Sequence, residues 1–194
     1  STMTELPTAG DGKNPIFNSN IDWSNYNWPI CLKLVHFSLD ELNSSVRFVF
    51  TLMYANFFIY ILLFLTKTFA QFFVKQDLWI SIFAAGASFF LVFFQFLTFY
   101  SAYRGFFYED KYKIVYKVLA VMFIIFAILN CIIGDFIFDG ILLILEYLNE
   151  TKHDTSTRVL MFILFFELFI NCIFLIISVV TFVCFLVYER KYDR

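Results

Sequence analysis

The sequence predicts an all-α membrane protein, a bundle of four transmembrane helices with short loops behind an extended polar N-terminal tail. Three observations carry that expectation. Of the 194 residues, 61% are hydrophobic and only 15% charged, against about 45–50% and about 25% in an ordinary soluble domain. Mean hydropathy is +0.76, and a core of this size cannot hide so much apolar surface from water, so the surplus faces lipid. The apolar residues fall into four long runs, at about 48–65, 79–100, 118–138 and 159–187. Each is long enough to cross a hydrocarbon layer of about 30 Å at 1.5 Å per residue, and none sets a charged face against its apolar one at helical period.

Residues 1–29 hold all three prolines, Pro7, Pro15 and Pro29, and no apolar run. They read as an extended tail, neither a signal peptide nor an Arg-rich presequence, ahead of a membrane domain at 30–194. Ser38, Leu39, Asp40 and Glu41 have the form of a capping box with Phe37 and Leu42 as its staple, so the first helix is expected to start there. The second run opens on the small residues 84–88, which let another backbone approach closely. Between the third and fourth runs, residues 141–147 are apolar but too short to cross, and they are expected in the interface or capping the bundle. The fourth run is long for a straight span and is expected to tilt or project into the cytosol.

An even number of spans puts both termini on one side. Lys13, Lys33, Arg47, Arg104, Lys111, Lys113, Lys117, Arg190, Lys191 and Arg194 share that side, while Lys67, Lys75, Lys152 and Arg158 lie on the other. Basic residues concentrate in the cytosol, so both termini are predicted to be cytosolic. Asn149-Glu150-Thr151 is a glycosylation sequon on the far side, with closeness to the membrane weighing against its use; Asn43-Ser44-Ser45 is a second, silent on the cytosolic side.

A net charge of −2 with scattered basic residues gives no reason to expect nucleic acid as a partner. Cys31, Cys131, Cys172 and Cys184 show no CxxC or His-rich spacing, so neither a disulfide framework nor a metal is expected. The sequence holds no Walker loop, HExxH or dinucleotide fingerprint, and His36 and His153 fall in opposite compartments. The expectation is a non-enzyme without cofactor.

Inside the spans, Glu167 stands out as an intramembrane carboxylate, with Asn171 one turn further on the same face. Asn56, Gln95 and Asn130 supply one polar residue in each other span. They form either a cluster around Glu167 lining a water path, as a small ion-coupled carrier needs, or interhelical hydrogen bonds averaging about 0.6 kcal/mol each beside a protonated Glu167. The small number of spans and the lack of Gly/Pro-broken helices or an inverted repeat favour the second.

Residues 100–113 alternate aromatic and basic side chains on the cytosolic side. Rings favour the headgroup level, and each Lys or Arg near an anionic leaflet gains about 1 kcal/mol. Tyr103, Arg104, Lys111 and Lys113 are therefore candidates for contact with anionic lipid; an ordinary aromatic belt with positive-inside charges has the same composition.

Several short motifs coincide in order. Asn27-Trp28-Pro29, the acidic helix-opening stretch from His36 to Arg47, and Tyr103-Arg104 closing the second span together resemble the secretory carrier membrane proteins, four-span trafficking proteins with cytosolic termini. The resemblance covers about residues 27–194, as a divergent member would: the family's Trp and Pro stand here as Ala102 and Gly105, and the basic residues that follow as Tyr108, Glu109 and Asp110. Asn14-Pro15-Ile16-Phe17 stands where the family repeats Asn-Pro-Phe for adaptor docking. The resemblance implies a non-enzymatic protein of vesicular trafficking in Golgi, endosomes or secretory vesicles, organising membrane through its bundle and its aromatic and basic loop. Two other readings remain at this stage. One is an accessory structural subunit of a large membrane complex, such as a respiratory-chain assembly of the mitochondrial inner membrane. The other is a small ion-coupled carrier using Glu167. Partners are the bilayer and other membrane proteins or further copies of the chain.

Overall fold

The computed structural model describes residues 24–28, 33, 35–70, 78–107, 110–132 and 155–192. Four helices hold most of them: α1 (Ser44–Ala70), α2 (Leu78–Phe107), α3 (Asp110–Ile132) and α4 (Thr155–Tyr192). Each contains a stretch long and apolar enough to cross a membrane, at Val46–Phe69, Ala85–Phe106, Lys111–Ile132 and Arg158–Lys191, and the chain is an integral membrane protein. Lipid offers no partner to a backbone amide, so a spanning segment must satisfy its own, and the helix does so within one segment. Hydroxyls follow the same rule: Thr51, Thr66, Thr68, Thr98 and Thr181 each donate to the carbonyl four residues back.

Each helix packs on two neighbours, in the ring order α1, α2, α3, α4 and back to α1. Neighbours run antiparallel, as shown by Phe50 on Phe106 and Phe57 on Phe96 between α1 and α2, and by Asn56 on Ser178 between α1 and α4. The starts of α1 and α3 and the ends of α2 and α4 therefore share one end, the near end; the opposite ends form the far end. Two apolar clusters fill the bundle. The larger, at the near end, includes Phe37, Leu42, Phe50, Phe99, Tyr103, Phe106, Tyr116 and Phe185, and the smaller joins Tyr60, Leu63, Phe123, Ala127, Ile170 and Phe174. The outer surface is apolar as lipid requires, with Phe48, Phe58, Phe89, Phe90, Phe162 and Phe169 among its exposed side chains.

Several sequence expectations are corrected. The first helix starts at Ser44 rather than at residue 38, because the groups of the expected capping box are engaged elsewhere. Glu41 Oε2 lies 2.9 Å from His36 Nε2, the Ser38 amide faces the Tyr103 hydroxyl, and the first turn instead closes on the Asn43 carbonyl, which accepts from Val46 and Arg47. Lys67, assigned by sequence to the far-side loop, lies inside α1 and is buried. The third helix begins at Asp110, eight residues before the apolar run expected at 118, so Lys111, Lys113 and Lys117 belong to its first turns.

Of the small residues 84–88, Ser88 lines a small cavity with Tyr60, Leu63 and Lys67 of α1, whereas at Gly86 a Cβ would meet nothing within 4 Å among the described residues, so a tight backbone approach is not seen at that glycine. It occurs instead at Gly105, where a Cβ would stand 2.8 Å from the Lys113 amide nitrogen and 3.1 Å from the Tyr112 carbonyl carbon. With only residues 108–109 between α2 and α3, the two backbones meet there, and only glycine fits. The expectations for residues 1–23, 133–138, 141–147 and the Asn149 sequon fall outside the described residues.

Candidate functional site

At the near end, a segment that precedes α1 is locked onto the bundle. Trp28 and Val35 form an antiparallel bridge, with Lys33 between them in the left-handed region at φ 47°. The Trp28 indole stacks on Phe96 with centroids 5.0 Å apart, meets Phe37, Tyr54 and Phe57 edge-on, and donates from Nε1 to the Tyr54 hydroxyl at 3.1 Å. The Asn27 side-chain oxygen accepts from the Phe37 amide at 2.8 Å. Buried His36 lies between the Asn25 carbonyl, 2.8 Å from Nδ1, and Glu41 Oε2, 2.9 Å from Nε2. Arg47 closes the lock, donating to the Leu39 carbonyl at 2.9 Å and pairing with Asp40.

Tyr103, expected at the lipid interface, is fully buried in this lock. Its ring contacts Phe37 and Phe50 edge-on and its hydroxyl faces the backbone of Ser38. On sequence the apolar run ends at residue 100; α2 runs on to Phe107 and turns Tyr103 inward. The charged groups of Arg104 and Lys111 lie 4.8 and 5.2 Å from the Tyr112 ring centre, within cation–π range. Lys111 is exposed and Lys113 partly so. Lys117 pairs with Glu189 of α4 at 2.6 Å.

The middle of the bundle carries a neutral polar layer. Asn56 Nδ2 donates to Ser178 Oγ at 2.8 Å, and Gln95, Thr98, Tyr116 and Thr181 line the same small cavity of about 30 Å³. At the far end the polar contacts are charged. Glu167 Oε1 lies 3.5 Å from Lys67 Nζ, with both side chains largely buried. Asn171 donates to the Ala127 carbonyl and to Cys131 Sγ, each at 3.1 Å, and Cys131 Sγ lies 4.0 Å from Cys172 Sγ. Asn130 is buried beside them on α3.

The candidate residues thus separate instead of forming one cluster around Glu167. Asn56 and Lys67 are eleven residues apart on α1, as are Ser178 and Glu167 on α4, so the neutral layer lies about 16 Å from the ion pair at 1.5 Å per residue. Glu167 and Glu189 are 22 residues apart on α4, about 33 Å along its axis. Each pairs with a lysine of a neighbouring helix, with Ser178 midway between them. Glu167 stays within the apolar stretch Arg158–Lys191, since Phe162 and Phe165, beyond it toward the far end, are exposed and apolar.

Sequence reasoning missed Lys67, Ser178, Thr181 and His36. Only Lys67 gave a signal, a cation two residues past an apolar run and within reach of another turn of helix.

Compared with protein-family models, curated proteins and solved structures, the chain matches none.

Proposed function

We propose that the chain is a non-enzymatic, four-span organiser of vesicle membranes in the endomembrane system, similar to the secretory carrier membrane proteins, with both termini of its membrane domain on the cytosolic side. One observation supports the reading above the others. Asn27-Trp28 and Tyr103-Arg104, the segments that carry the resemblance, lie about 75 residues apart in sequence and meet in one buried lock, through Phe37 and Ser38. Residues kept for a shared architecture would be expected to do this; coincidental short motifs have no reason to touch. The surface available for anionic lipid then narrows to Arg104, Lys111 and Lys113, without Tyr103.

The carrier reading has less support. Its carboxylate, Glu167, is paired with Lys67, and a cavity of about 30 Å³ holds water but no larger solute. Incorporation in a larger assembly is the second reading, favoured by the open face of α2 around Gly86, where Trp79, Phe89 and Phe90 are exposed and another helix can approach closely.

Locating the tagged protein in its own cell tests the proposal. Golgi or endosomal puncta support it, and mitochondrial staining overturns it. Purification in native membrane discs then separates the second reading, since a lone small particle excludes stable incorporation.

A further inference from the structure

The neutral layer has an unmet chemical demand. Asn56 and Gln95 are 3% and 5% exposed, and their amide oxygens Oδ1 and Oε1 have no hydrogen-bond partner in the protein, although both side chains line the same cavity. Buried acceptors are paired almost without exception, and leaving two unmet at the centre of a bilayer is strongly disfavoured. Three of the surrounding donors are engaged. Asn56 Nδ2 donates to Ser178 Oγ at 2.8 Å, and the hydroxyls of Thr98 and Thr181 donate to the carbonyls of Phe94 and Ile177 at 2.8 Å. The Ser178 and Tyr116 hydroxyls and Gln95 Nε2 belong to the same lining, so the wall offers its occupant lone pairs and hydrogens together, as water requires.

We propose that this cavity is a binding site for a structural water, which donates one hydrogen to Asn56 Oδ1 and the other to Gln95 Oε1 and so joins α1 to α2 at mid-membrane. Size and charge select water among small donors. A single water needs roughly 10–15 Å³, so about 30 Å³ holds one or two and nothing larger. A monovalent cation would also suit an oxygen-rich wall, but no carboxylate lines the cavity to offset a full charge at the bilayer centre. The nearest acid on α4 in either direction, Glu167 or Glu189, is eleven residues away, about 16 Å.

Three measurements on the full chain in lipid nanodiscs test this. A structure that resolves ordered solvent should show density within about 3.2 Å of both amide oxygens; an empty cavity overturns the proposal. Gln95→Met, close in shape but without the acceptor, removes one anchor of the water and strands Asn56 Oδ1, so Tm should fall by about 2–4 °C, the shift of a single lost contact in a chain of this size. In a dry cavity the same change removes an unmet acceptor, and a raised Tm would refute the water. Replacing sodium and potassium by N-methylglucamine should leave the wild-type Tm unchanged. A drop would assign the site to a cation instead. Should Gln95→Met not fold, the solvent density and the cation exchange, both read on the unaltered protein, still decide.

Discussion

Both ends of the bundle carry a lysine paired with a glutamate of α4, yet the two ends are held together differently. At the near end, Lys117 and Glu189 are 36% and 15% exposed, and the pair sits beside a dense apolar lock in which Trp28, Phe37 and Tyr103 fasten the segment before α1 to α1 and α2. At the far end, Lys67 and Glu167 are 9% and 14% exposed, and the neighbouring cluster is small. A pair in contact with water contributes little and is screened by salt, whereas a pair removed from water interacts strongly and leaves a costly charge when one partner is lost. Aromatic packing therefore secures one end and paired charge the other, although a list of ion pairs would make them look alike.

The contrast is most exposed by Glu167→Ala. It removes the Glu167 carboxylate from beside the buried Lys67 ammonium, and a loss of up to about 3–5 kcal/mol is expected, read by thermal unfolding in nanodiscs. Replacing both partners, Lys67→Met with Glu167→Leu, should restore most of it; a double variant no better than the single one would show that the charges are not each other's compensation. Next in size is Gly105→Ala at the near end, where a methyl must push α2 away from the α3 backbone. An overpacking loss of about 1–3 kcal/mol follows, while Gly86→Ala, which meets open space, should be neutral or stabilising. Equal melting of the two glycine variants would remove the close approach from the account.

Tyr103→Phe deletes only the hydroxyl that faces Ser38 and keeps the ring, so about 0.5–1.5 kcal/mol is expected. It should appear chiefly as faster proteolysis of residues 24–42, with the spans intact. Glu189→Gln should have the smallest effect, less than about 1 kcal/mol and vanishing in high salt. If it matched Glu167→Ala, the two ends would not differ in the way their burial implies.

The four spans were legible because burial in lipid is written in composition: each run is apolar on every side, and no partner is needed to see it. The ends of the helices were less legible because they depend on contacts made by residues far away in sequence. The capping box at residues 38–41 was a sound local signal, but His36 and Tyr103 engage its groups, and local propensity gives way to tertiary contacts. Tyr103 beside Arg104 reads as a membrane-surface pair until α2 is known to run on past it, and one more turn of helix faces it inward. The candidate list named the right polar residues but joined them into one cluster, since a sequence gives their identity and not their depth. Their order along the bundle followed from the contacts across it, Asn56 with Ser178 and Lys67 with Glu167, which a sequence does not show.

The span lengths have a mechanical consequence. With apolar stretches of 24, 22 and 22 residues in α1, α2 and α3, about 33–36 Å along their axes, the bundle has a preferred hydrophobic thickness. A sterol-rich bilayer of about 32–33 Å accepts it nearly upright, while one of about 27 Å must thicken locally or make the bundle lean. Energy rises by fractions of a kcal/mol for each ångström of mismatch, so three spans of nearly equal length act as a gauge that distinguishes membranes by thickness.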